Sequence, residues 1–212
     1  MSRTAPDLTP SVTSSRESLP IDAESEWIRR SKRLLPQMIE NTSPLEAMDG
    51  SVDHVRGREG APLVVEYGDY ECPYSRQAFR EIERAERRLE SGLRFVFRHF
   101  PLTDVHPHAL AAAAAAEAAA QQDRFWEMHE TLFHRQDALE DEDLRGYAWD
   151  LGLDLDRFDQ DRVGDQVLAR IRRDVESGLE TGEVTGTPTL FVNGSVYQGP
   201  YDAATLAEVL SR

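Results

Sequence analysis

From Pro62 onward, apolar and polar positions fall into blocks whose period switches between two and about 3.6 residues. Leu63-Val64-Val65-Glu66-Tyr67 is a short apolar run closed by Gly68-Asp69, which predicts a strand. Ala78, Ile82, Ala85 and Leu89 then recur on one helical face, so a helix is predicted from about Pro73 to Gly92. Leu93-Arg94-Phe95-Val96-Phe97-Arg98 returns to strand character. Strand, helix and strand this close together make a β-α-β unit, which favours parallel pairing and a right-handed crossover. A long helical stretch follows. Pro107–Gln122 holds ten alanines, a composition suited to helix. Helices are also predicted over Phe125–Arg135, Glu142–Leu151 and about Asp156–Gly178. Asn193-Gly194 lies between the apolar runs Thr189–Val192 and Ser195–Gln198, which predicts a hairpin with a type I′ turn. A closing helix spans Asp202–Leu210 with Asp202 as its N-cap. The expected order is therefore β-α-β, a helical insertion at about 105–180, then β-β-α.

The first 50 residues differ. Met1–Pro20 is polar and rich in Ser, Thr and Pro, and is expected to be disordered. Ile21–Met38 can form a short amphipathic helix with Trp27, Ile28, Leu34 and Leu35 as its apolar positions. Asn41–Gly60 is linker-like, with a short strand at Val52–Arg56. We expect residues 1–50 to be a tail and linker, and 51–212 to be one domain.

Composition narrows the function. No run of about 18 apolar residues exists, so no membrane-spanning helix is predicted. The N-terminus lacks the apolar core of a secretory signal, so a cytoplasmic location is expected unless the sequence is a processed form. A net charge of −15 opposes nucleic acid or an anionic membrane surface as partner. Cys72 is the only cysteine, so the chain cannot form an internal disulfide, and any oxidation of this thiol involves a second molecule.

Cys72 falls where a strand hands over to a helix, so the unpaired N–H groups and dipole of the first turn favour an anion there. Pro73 suits the first helical position. Ser75, three residues on, shares a face with Cys72, and its hydroxyl is expected to hydrogen-bond the thiolate. It cannot resolve a mixed disulfide, as a second thiol would. Monothiol exchange follows.

Glu66-Tyr67-Gly68-Asp69-Tyr70-Glu71-Cys72-Pro73-Tyr74-Ser75 resembles the active-site stretch of DsbA-like thioredoxin-fold oxidoreductases, with serine at the second cysteine. Phe95–Phe100, His106-Pro107-His108-Ala109, Phe125-Trp126-Met128-His129 and Gly186–Gly194 resemble the bacterial branch of that family, in the right order over about residues 52–210. The resemblance implies an α/β thioredoxin-like fold. It also implies a cis-proline at Pro188 facing Cys72, and main-chain groups of Thr187 that pair with an extended substrate. Glu66 would then be a buried carboxylate beneath the cysteine; an outward-facing strand residue is the alternative. Tyr74 replaces the histidine often found before the second cysteine in oxidising members, which weakens any reading as a strong oxidant. Disulfides or thiols of other proteins are the expected partners, with no bound cofactor and with glutathione as a co-substrate. A competing reading is a non-catalytic binding or regulatory module, since domains like this one also occur attached to bacterial sodium/proton antiporters.

Other features are set aside. His99, His106, His108, His129 and His134 show no zinc-site spacing, so capping or surface roles and no metal are expected. The alanine-rich helix is expected to carry no chemistry. Gly182–Gly186 lacks the lysine of a phosphate loop.

Overall fold

In the computed structural model, which describes residues 21–38 and 44–212, the β-α-β unit consists of β2 (Leu63–Gly68), α2 (Pro73–Glu86) and β3 (Arg94–His99). β2 and β3 are parallel, with Leu63 opposite Arg94 and Gly68 opposite His99. β4 (Thr189–Val192) runs antiparallel to β2 and places Leu190 beside Glu66. It returns through Asn193 and Gly194 into β5 (Ser195–Val196). Both turn residues have positive φ, 49° and 86°, as the type I′ turn requires. β1 (His54–Gly57) pairs antiparallel with β3, giving the order β1-β3-β2-β4-β5.

The insertion comprises α3 (Ala109–Ala120), α4 (Phe125–His134), α5 (Asp141–Asp150), α6 (Leu155–Asp161) and α7 (Asp165–Thr181). The single helix expected from Asp156 to Gly178 is thus two. Gly164 adopts extended angles (φ −78°, ψ 152°) as the N-cap of α7, which ends the preceding turn and redirects the chain. α8 (Ala203–Leu210) closes the chain, and its N-cap Asp202 accepts the Thr205 N–H at 3.0 Å.

The strand period of two sends alternate side chains to opposite faces of the sheet. Val64, Phe95, Phe97 and Leu190 join Phe79 and Ile82 of α2, Met128 and Phe133 of α4, and Leu206 of α8. Val65, Tyr67, Val96 and Phe191 join Val167, Ile171 and Val175 of α7. α3 touches α4, α6 and α7, and its alanines are buried on nearly every side. Small side chains let those neighbours approach closely.

α1 (Ile21–Met38) forms as its periodicity predicts and packs against α7. Ile28 is fully buried there, worth about 1.5–3 kcal/mol of hydrophobic stabilisation. Glu24 accepts from Arg172 Nε at 2.9 Å. The expected tail thus carries a docked helix; Met1–Pro20 and the side chains of Leu34 and Leu35 lie outside the described residues. The linker-like stretch before β1 is also fastened. Asp53 forms a two-point ion pair with buried Arg98, at 3.0 and 2.9 Å, and Arg98 also donates to Tyr67 Oη at 2.9 Å.

Candidate functional site

β2 ends in a turn that delivers Cys72 to the start of α2. Asp69 organises this turn. Its buried carboxylate accepts the N–H groups of Glu71 and Leu102, both at 2.8 Å, and lies 2.8 Å from His106 Nδ1. Cys72 is the N-cap of α2 in extended conformation, with Pro73 following in the first turn. Gln136 donates to the Tyr70 and Cys72 carbonyls at 2.6 and 2.9 Å, which fixes the turn from the α4 side.

The Cys72 thiol donates to the Thr187 carbonyl at 3.3 Å, and the Thr187–Pro188 peptide is cis. These residues, 115 apart in sequence, meet as the resemblance implies. Cys72 is only 3% exposed, whereas Tyr74 is 66% exposed and Pro73 is open to solvent. The contact with Thr187 therefore has to open before a partner sulfur reaches Sγ.

Ser75 departs from expectation. It is fully buried, and its hydroxyl accepts the Asp69 N–H at 3.3 Å. No hydrogen bond from it to Cys72 is present among the described residues. The first turn of α2 points this side chain inward under the 68–71 turn, so Ser75 supports the turn.

Glu66 lies on the α2 face of the sheet, between Leu190 and Phe97. It is 0% exposed, and neither carboxylate oxygen has a hydrogen-bond partner. Burial pushes its pKa up to about 8, against a smaller downward pull from Arg56. The buried alternative is therefore the observed one. Two steps along, Gly68 has no room for a side chain: an added Cβ would lie 2.4 Å from the Phe97 ring and 3.1 Å from Glu66 Oε1.

Tyr201 was not anticipated from sequence. Its hydroxyl reaches the Pro188 carbonyl at 3.5 Å. Burial raises its pKa, and the charges of Glu66 and Cys72 raise it further. Only its position shortly before the closing helix could have suggested a role.

The histidines also differ from expectation. His129 is buried among aromatic rings, with Nδ1 3.0 Å from Tyr70 Oη, and desolvation holds its pKa well below the ordinary value. His99 is buried as well, with Nε2 2.8 Å from Glu117 Oε1; His54 Nε2 reaches the same oxygen at 2.8 Å. Burial disfavours the charged form of Glu117, but the two imidazoles outweigh it and lower its pKa. The alanine-rich helix thus holds a polar cluster. At the entry to α3, His106 and His108 pair through their ring nitrogens with Asp69 and Glu71, and His108, the N-cap of α3, makes no side-chain cap hydrogen bond.

The sequence pattern of the thioredoxin family matches residues 50–212. Among curated proteins, the chain is 48% identical over 169 residues to Na(+)/H(+) antiporter NhaA 1 of Mycolicibacterium vanbaalenii, covering 78% of this chain and 27% of that protein. It is 46% identical over 183 residues to Na(+)/H(+) antiporter NhaA 3 of Salinispora tropica, covering 84% and 27%. The chain therefore spans about a quarter of the length of these relatives. Among solved structures, a thioredoxin-like oxidoreductase from Silicibacter pomeroyi matches with a TM-score of 0.68 and 27% identity, over 78% of this chain and 97% of that one. Oxidised BdbD from Bacillus subtilis matches in fold with a TM-score of 0.68 at 21% identity, over 81% and 97%.

Proposed function

The chain belongs to the thioredoxin family, and from that premise we propose that it is a thiol-disulfide oxidoreductase of the monothiol type, acting through Cys72. The observation that carries this reading is the pairing of the sole thiol, at the start of α2, with the Thr187 carbonyl beside cis-Pro188. The Cys72 thiolate attacks one sulfur of a disulfide. A new S–S bond joins Cys72 to that sulfur, and the other leaves as a thiolate and takes a proton. With no second cysteine, a thiol from outside must then attack the mixed disulfide and release Cys72. Glutathione or a protein thiol supplies it in the reducing cytoplasm, where we place the reaction.

The surrounding groups have distinct parts in this scheme. Thr187 and Pro188 offer main chain to an extended substrate, which displaces the Sγ–Thr187 contact as it binds. Glu66, protonated near neutral pH, holds a proton beneath the site and can exchange it with the thiol through Tyr201 or water. Ser75 keeps the turn in shape, while exposed Tyr74 meets the partner.

The test is to expose the full chain to glutathione disulfide and to a disulfide-bonded peptide, and to weigh the intact protein. One adduct per chain on Cys72, released by added thiol and missing in Cys72→Ala, is expected. A wild-type chain that stays unmodified would refute the proposal.

The antiporter names of the relatives favour a second reading, a binding module accessory to such a transporter. Under it, Cys72→Ala leaves the biological role intact, whereas changes beside Pro188 abolish it.

A further inference from the structure

His54 on β1, His99 on β3 and Glu117 on α3 converge from three different elements. One ligand-type atom from each lies within 4.8 Å of the other two. Both imidazole Nε2 atoms stand 2.8 Å from the same carboxylate oxygen. We propose that these three side chains form a binding site for a divalent transition-metal ion of the zinc type, with two imidazole ligands and one carboxylate ligand.

The donor set suits such an ion. Zinc accepts histidine nitrogen at about 2.0–2.1 Å and carboxylate oxygen at about 2.0–2.2 Å, and three protein ligands leave a fourth position for water. Donors bound to one tetrahedral ion stand somewhat over 3 Å apart on those bond lengths. The observed 2.8 Å contacts need only a small outward movement.

The ligands are also held in place before any ion arrives. The His54 ring stacks on Phe125 with centroids 3.4 Å apart and planes 9° apart. The His99 ring lies against Phe97, Tyr70 and Phe125, and its backbone N–H is fixed by Asp174 at 2.9 Å. Glu117 is the one charged residue of an otherwise apolar helix, so its position is set by the packing of α3. In the ion-free arrangement each Nε2–H donates to the Glu117 carboxylate, and an ion takes the place of those protons, the His99 ring proton moving to Nδ1, which has no hydrogen-bond partner.

Access exists as well. A cavity of about 430 Å³ is lined by His54 and Glu117 together with Ser51, Val52, Gln121 and Arg170. Ser51 and Val52 are exposed, and the His54 side chain is 17% exposed, so an ion enters from that side. Arg170 does not present a bare positive charge there, because it is paired with Asp174 and Asp53. A bound ion would join the edge strand, a central strand and the helical insertion.

The site is tested on the full, tag-free chain after chelator treatment, by titration with cobalt(II) and zinc(II). Cys72→Ala serves as a parallel variant, because a thiol is a competing ligand. We expect saturable binding at one ion per chain, with visible cobalt absorption that zinc abolishes and that Cys72→Ala leaves unchanged. His54→Gln, at the rim, should weaken binding at least about tenfold, since losing a ligand costs no less than losing a second-shell partner. Absence of saturable binding overturns the proposal, as does affinity unaffected by His54→Gln. Zinc X-ray absorption on the unmutated chain gives an independent reading that needs no variant. Imidazole scattering supports the site, and a sulfur shell or its absence of imidazole sinks it.

Discussion

The proton on Glu66 ties the stability of the whole domain to pH. In the native state this carboxyl is fully buried without a partner, and its pKa is about 8 against an ordinary value of 4.5. The native state therefore binds the proton more tightly than the unfolded chain does. This contribution is fully present below pH 4.5, falls as pH rises, and is exhausted above about pH 8. Integrating the two titrations, the unfolding free energy loses about 3–4 kcal/mol through this one group between pH 5 and pH 8. Glu66→Gln keeps the size and removes the proton equilibrium. Its buried amide costs much the same at both pH values, so the difference between wild type and variant isolates the proton. Urea unfolding of both proteins at pH 5 and pH 8 measures it. The variant should gain on the wild type by about 3–4 kcal/mol as pH rises. A gap that is the same at both pH values would show that Glu66 titrates alike folded and unfolded, and would sink the argument, along with its role as a proton store at neutral pH.

Three further outcomes are expected. Gly68→Ala should cost about 1–3 kcal/mol in chemical unfolding, because the new methyl group meets the Phe97 ring at 2.4 Å within a packed core. Asp53→Ala leaves Arg98 charged and buried without its carboxylate, so a loss of about 3–5 kcal/mol is expected, measured the same way. His129 is neutral in its aromatic pocket and is protonated more readily once unfolded; wild-type stability should fall as pH drops below about 6.5, and His129→Phe should flatten that slope in acid titrations followed by circular dichroism.

Cys72-Pro73, Asn193-Gly194 and Asp202 each announce a backbone geometry that only a few residue types satisfy, so the elements around them were legible in the sequence. The cis peptide at Pro188 and its approach to Cys72 came from the family resemblance, and the structure places both as expected. What escaped depends on distance along the chain. Glu117 sits among alanines and gives no local sign that His54, 63 residues earlier, reaches it. The side of the sheet that Glu66 faces follows from pairing register, which a single strand does not reveal. Ser75 shared the predicted helix face with Cys72, yet the turn's own unpaired N–H claimed its hydroxyl. The break before α7 turned on the extended angles of Gly164, a residue that helices tolerate at some cost.

The Asp53–Arg98 pair, with Tyr67 behind it, has a mechanical consequence. A force transmitted along the chain from residues before β1 meets α1 on α7 first, and then this buried two-point clamp. Next comes β1, whose only strand partner among the described residues is β3. Only after these have yielded is load passed to β2 and the turn that carries Cys72. The turn that carries Cys72 is thus insulated from tension applied to the chain ahead of β1.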